Sequence, residues 1–425
     1  MTLPSGPPVR LTADWLAPLT GPPVAGAAVL LDSGGRIAAL GPSATVPAPP
    51  GIPELGFPGT ALIPGLVNAH THLELTGLGG QVEEDDFTRW IRGVRELKAS
   101  LSPEWFQSAA RQGVRNAFAA GITMVLDTGD SGAVLPALAE LGGAGIAYQE
   151  VFGPDPAQCE ASLAGLRAAL DRQRAYCSDR VRLGVSPHAP YTVSGPLYRA
   201  VAELALQEAL PIAVHLAESP AESRFVAEDE GPFADAWRLR GIPPLALHGA
   251  LPVAARRSPV AWLDAHGVLG PTTLCIHTIQ LDDADREVLA ARQAGIAHCP
   301  VSNRRHGHGD AASAALVACG LRVGVGTDSV VSVGALDMFA ELRAARLLLG
   351  TSARETLRHG TMTGAELAGM AADRGALTPG RFGDVAAVRL SEAGDPDLVE
   401  ELVLAAEAKS VVATFASGVM VHRAL

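Results

Sequence analysis

Two histidines stand two residues apart in the segment VNAHTH, at His70 and His72. In an extended strand such neighbours project to one side, so both imidazoles can chelate one divalent ion. A third histidine, His215, opens the segment HLAES (215–219), and an acid, Asp328, sits in GTDS (326–329). Three imidazoles and one carboxylate suit zinc, iron or a similar borderline ion better than magnesium or calcium. With a coordination position left for water such an ion is catalytic, because it brings the pKa of that water to about 7. Glu218, three residues after His215, can shuttle protons beside the ion without being a ligand; its plainer reading is a solvated acid at a helix start. His188 and His277 follow other apolar runs and are either site residues or hydrogen-bonded core histidines.

Residues so far apart need a scaffold that gathers them. Apolar strand-like runs recur at ALIPGLVNAH, ITMVLDTG, GIAYQEVFG, VRLGVSPHAP, PIAVHLAES, TTLCIHTIQ, IAHCPVSN and LRVGVGTDS. Each is followed by a stretch of helical spacing, such as PEWFQSAARQGVRNAFAAG. Eight such units with continuous apolar strands predict an α/β chain folded as a (β/α)8 TIM barrel over residues 61–374. The histidines and acids fall at the C-terminal ends of these strands, the face on which such barrels carry their active sites.

The ends of the chain read differently. VRLTADWL and AAVLLDSGGRIAALGP near the start, and GDVAAVRL and SVVATFASGVMVHRAL near the finish, are short strands broken by Gly and Pro. Residues 1–60 and 375–425 are therefore expected to combine as one small β-sandwich domain. The 425 residues carry 33 Lys and Arg against 45 Asp and Glu, a net charge of −12. Only two are lysines, Lys98 and Lys409, so no basic field favours nucleic acid. Five scattered cysteines without a Cys-x-x-Cys pair argue against a thiolate metal cage and for a reducing compartment. No apolar leader and no long apolar run suggest a membrane, so a cytoplasmic protein is expected, with a homodimer as the candidate assembly.

Six motifs in order, PGLVNAHTHLE, SPHAPYTVS, HLAES, the His277 strand, HCPVSN and GTDS, make the chain resemble the amidohydrolase superfamily. The resemblance spans nearly the whole chain. It implies His70, His72, His215 and Asp328 as ligands of one divalent metal per chain, zinc first and iron as the alternative. It makes Glu218, His277 and Asp328 catalytic: Asp328 accepts a proton from the attacking water, Glu218 protonates the leaving region, and His277 steers the water. His188 is implied as a substrate contact. Neither lysine falls at a barrel strand end, so a lysine-bridged two-metal centre loses support; Glu150 remains as an unusual bridging ligand.

The intact His-x-x-Glu pair of HLAES resembles the aminohydrolase branch, which loses ammonia from cyclic amidines and also includes triazine chlorohydrolases. Within it, FTRWIRGV (87–94) and GTDS look most like the 6-aminodeoxyfutalosine deaminases of menaquinone biosynthesis. A small-molecule purine nucleoside is then the expected substrate, with adenosine, methylthioadenosine and S-adenosylhomocysteine as alternatives. Trp90, Phe152 and Arg224 are candidates for binding an aryl carboxylate. The segment SNRRHGHG (302–309), with Arg304, Arg305, His306 and His308, either binds ribose or carboxylate or is a solvated loop, the latter slightly favoured. The role of His298 stays open. A non-catalytic scaffold and a hydrolase of cyclic amides or carbamates are the rival readings.

Overall fold

Strands that read as unbroken apolar runs must be covered on both faces, and the chain meets that need by rolling them up. The computed structural model describes residues 6–248, 253–391, 395, 397 and 399–424; a few positions of the expected terminal segment 375–425 lie outside these. Strands β1 (Val9–Leu16), β2 (Val24–Leu31), β3 (Ile37–Pro42) and β4 (Glu54–Pro64) come first. The central strands are β5 (Leu66–Thr71), β6 (Ile122–Gly129), β7 (Ala144–Val151), β8 (Val181–Pro187), β9 (Ile212–Leu216), β10 (Thr273–His277), β11 (Gly295–His298) and β12 (Arg322–Val325). Near the end lie β13 (Val385–Arg389), β14 (Val411–Ala416) and β15 (Val419–Arg423).

β5 to β12 pair in sequence order as a parallel sheet of eight strands. Helices follow the strands, and their apolar sides cover the outer face: Ala110, Val114 and Phe118 of Pro103–Ala119 are buried against it. Val67, Met124, Leu126, Ile146, Tyr148, Leu274 and Ile276 form an inner cluster. The sheet closes at its ends. The backbone N–H groups of Thr327 and Asp328 donate to the His70 carbonyl at 3.1 and 3.0 Å, and Thr71 bridges Asp328 in parallel register. A Cβ at Gly326 would stand 2.5 Å from the His70 backbone nitrogen, so only glycine permits this seam.

The termini do combine, in one sheet of seven strands ordered β15-β14-β13-β4-β1-β2-β3. Its pairs are antiparallel except β1 with β4. Leu11, Leu16, Val29, Leu31, Leu62 and Phe415 build its own core. The run ALIPGLVNAH, read as one strand, is cut at Gly65: Pro64 ends β4 in the terminal sheet and Leu66 starts β5 in the barrel. A Cβ at Gly65 would lie 2.3 Å from Thr123 Oγ1, so the crossing between sheets is too close for any side chain. No helix among the described residues is long and apolar enough to cross a membrane.

Candidate active site

His70 and His72 leave the end of β5, His215 lies on β9, and Asp328 follows β12. One nitrogen from each histidine lies within 4.8 Å of the others, and Asp328 Oδ1 stands 3.5 Å from both His70 Nε2 and His72 Nε2. The second-nitrogen contacts orient the rings. His215 Nδ1 meets the His188 carbonyl at 3.2 Å, so it carries the proton and the Nε2 lone pair faces the cluster. His72 Nδ1 meets Thr128 Oγ1 at 3.3 Å. His70 is fully buried, and neither of its ring nitrogens has a hydrogen-bond partner among the described residues. A buried imidazole left this way is costly unless something binds it, and these donors fit a divalent ion. Burial drives His72 down to about 3 and lowers His70 and His215, keeping all three neutral and ready to ligate. Burial alone would raise Asp328, but the imidazoles beside it hold the carboxylate well below its usual range.

Glu218 sits just past β9 and His277 ends β10; their Oε1 and Nε2 are 3.5 Å apart. Asn303 fixes the ring of His277. Its Oδ1 is 2.9 Å from His277 Nδ1, while its Nδ2 reaches His298 Nδ1 at 3.3 Å. This gives buried His298 a structural place, orienting Asn303 rather than approaching the cluster. Burial raises the Glu218 carboxyl, yet His277 and His308 outweigh it and bring the group to about 2, so it rests ionised. Ala217, His277, Thr278 and Asp328 all adopt positive φ, from 51° to 70°. Left-handed backbone at non-glycine residues is strained, and these four of the nine such residues lie on the rim that aims the side chains.

His188 follows β8 with Nδ1 2.9 Å from Thr192 Oγ1, and burial takes it to about 3. Its ring lies 4.6 Å from that of His215 and 4.9 Å from Phe152, which is 40% exposed at the rim. Glu150, on β7, groups with His188 and His215 at metal-ligand spacing. Burial pushes its carboxyl up to about 8, which favours a protonated acid there. Trp90 stacks with Phe87 at 6.1 Å and lies 4.4 Å from His306, so the segment after β5 meets the loop after β11.

Two expectations need correction. Arg224 does not turn to the cluster: it is exposed, with Nη2 3.2 Å from Glu230 Oε2 and Nε 3.8 Å from Glu228 Oε2. The helix Pro220–Glu228 buries Glu222, Phe225 and Val226, and this phase carries Arg224 outward. Nor is SNRRHGHG solvated throughout: Ser302, Asn303 and His308 are buried, with His308 Nε2 3.4 Å from Glu218 Oε1, while Arg304 and Arg305 are exposed as a solvated loop requires.

Several participants escaped the sequence reading. Glu222 accepts from the backbone N–H groups of Ala217 and Glu218 at 2.8 and 2.9 Å, holding the turn that presents Glu218. Ser302 donates to Asp328 Oδ2 at 2.6 Å. For Ser302 and Asn303 the available signal was their place in HCPVSN; for Glu222 a fourth-residue spacing from Glu218 was the only one.

A family model described as Amidohydrolase family matches residues 61–421. A 5'-deoxyadenosine deaminase of Methanothermobacter thermautotrophicus is 30% identical over 338 residues, 77% of this chain and 73% of that protein. A 5-methylthioadenosine/S-adenosylhomocysteine deaminase of Pelotomaculum thermopropionicum is 29% identical over 412 residues, 92% of this chain and 87% of its own. Among solved structures, the Helicobacter pylori aminofutalosine deaminase superposes with a TM-score of 0.81 at 20% identity, covering 97% of this chain and 99% of that one. A zinc-bound adenosine deaminase from Xanthomonas campestris gives 0.79 at 24% identity, over 97% and 92%. Those structures share the fold, and the family match runs through the whole barrel and on into β13, β14 and β15 of the terminal sheet. The chain is an enzyme and belongs to the amidohydrolase family.

Proposed function

We propose that the protein removes the 6-amino group of a purine nucleoside by hydrolysis, with 6-aminodeoxyfutalosine as the first candidate substrate. The observation that carries the reaction class is the ionised Glu218 standing beside His277 on the rim that also holds His70, His72, His215 and Asp328. These four would hold one divalent ion, zinc or iron, which when bound supplies Lewis acidity and a hydroxide nucleophile near neutral pH. Asp328, steadied by Ser302, is placed to take a proton from the attacking water. His277, locked by Asn303, orients that water. Because Glu218 rests ionised, it must first accept the proton that it then passes to the ring nitrogen. Water adds to the ring carbon, the proton taken by Asp328 passes to the departing amine, the carbon–nitrogen bond breaks and ammonia leaves.

The aminodeoxyfutalosine assignment rests on the FTRWIRGV and GTDS segments and on Trp90 and Phe152 at the rim, with His188 as the further substrate contact. Arg224 drops out of it. The names of the sequence relatives favour a second reading, a deaminase of 5'-deoxyadenosine, methylthioadenosine or S-adenosylhomocysteine. We place the catalytic unit in residues 61–374 and the reaction in the cytoplasm, where the free cysteines are at home. Ammonia release and kcat/KM measured side by side on aminodeoxyfutalosine, adenosine, 5'-deoxyadenosine, methylthioadenosine and S-adenosylhomocysteine decide the matter. The highest kcat/KM is expected for aminodeoxyfutalosine, and a metal-loaded protein inert towards all five would sink the purine reading.

A further inference from the structure

The loop after β11 doubles back through two left-handed glycines, Gly307 at φ 67° and Gly309 at φ 96°. Between them, the His308 N–H donates to the Asn303 carbonyl at 2.9 Å, and its own carbonyl accepts from Gln280 Nε2 at 2.8 Å. Pinned at both ends of its peptide unit, the imidazole is buried edge-on to Phe87, with ring centroids 4.3 Å apart at 85°. Nε2 is sealed from solvent, and the group facing it is Glu218 Oε1 at 3.4 Å. On its other side the same oxygen faces His277 Nε2 at 3.5 Å.

Those two imidazoles are not equivalent. His277 gives its Nδ1 proton to Asn303, so its Nε2 can offer a second proton to Glu218 only while the ring is an imidazolium. His308 has no such commitment, and its Nε2 can carry the proton. A buried carboxylate needs donors, and an inward-facing ring nitrogen costs free energy unless it is bonded. We propose that His308 is a positioning residue for catalysis: its Nε2–H holds Glu218 Oε1, fixing the rotamer from which the carboxylate serves the substrate. The proposal rests on the role given above to Glu218 as the proton carrier. Contacts between catalytic groups commonly shorten once substrate fills the site, so 3.4 Å is within reach of a working hydrogen bond. The T-shaped contact with Phe87 lets the helix after β5 press on the same ring, linking the mouth of the site to its proton carrier.

The test compares the metal-loaded wild type, H308F and H308Q on the nucleoside that the wild type deaminates best. Phe keeps the ring against Phe87 but removes the donor; Gln restores an N–H. H308F should lose roughly ten- to hundredfold in kcat with KM, bound metal and melting temperature little changed, as removal of a supporting partner does. H308Q should recover most of that loss. An H308F enzyme as fast as the wild type, a loss confined to KM, or an H308Q enzyme as slow as H308F would each overturn the proposal. If H308F does not fold, H308M supplies the donor-free comparison with the same expectations. A metal-loaded wild type inert on every nucleoside overturns the proposed function itself, whereas an active wild type with an unaffected H308F overturns only the role of His308.

Discussion

Glu218 shows how one carboxylate acquires a role from its surroundings. It is 4% exposed, and burial acting alone would raise its carboxyl above the usual range. His277 and His308 reverse that and leave it ionised at neutral pH, the state that its proposed role as proton carrier requires. Glu218→Gln keeps the shape and the two backbone bonds made by Glu222 but can neither accept nor deliver a proton. Bound metal should stay at the wild-type level while kcat falls by roughly 10²- to 10⁴-fold. Full turnover by this variant, with metal content measured alongside, would remove Glu218 from the chemistry. The candidate metal ligands were legible because histidine and aspartate at strand ends advertise themselves by position. Glu222, Ser302 and Asn303 were not, since each acts through a hydrogen bond to a residue whose place only the fold reveals.

At the scale of elements, the helix Phe87–Ala99 matters most, because it brings Phe87 and Trp90 over the site without a single fully buried residue of its own. Its docking depends on Lys98, whose Nζ lies 2.7 Å from Glu74 Oε1 and 2.6 Å from Asp130 Oδ1. Burial would raise the Glu74 carboxyl, but Lys98 and Ser131 hold it at about 2. Lys98→Met strands that buried charge and should cost about 3–5 kcal/mol of unfolding free energy. The pH dependence follows from the sign. A carboxyl whose folded value lies below its unfolded one stabilises the fold above its unfolded value near 4.5, and that stability is lost as pH falls towards 2. The gap between wild type and Lys98→Met in urea unfolding should therefore be widest above pH about 4.5 and close towards pH about 2; a gap constant across that range would assign the docking to packing. The sequence showed a helical stretch here and placed Lys98 on it, but not its partners, 24 and 32 residues away. Arg224 failed for a related reason: spacing put it near HLAES, and only the phase of its helix, set by burial of Phe225 and Val226, turns it outward.

For the whole molecule, the same residues close the barrel and gather the donors. The eight-strand pattern was legible because strands covered on both faces leave unbroken apolar runs. The closing seam was not, since it depends on Gly326 lying against His70, two residues that no local pattern connects. Through that seam Asp328 meets His70, while His215 reaches the pair from β9 on the far side of β6, β7 and β8. An ion held by all four therefore ties β5, β9 and β12 together, and the unfolded chain has no such site. Binding confined to the folded state stabilises it by about 4 kcal/mol when free metal exceeds its dissociation constant about a thousandfold. Stripping the metal should lower the melting temperature by several degrees, and zinc or iron(II) should restore it with one equivalent per chain. A titration that needs two equivalents would bring back Glu150 as a bridging ligand, beside His188 and His215. An unchanged melting temperature would show that the seam of backbone hydrogen bonds holds the barrel closed without help from the ion.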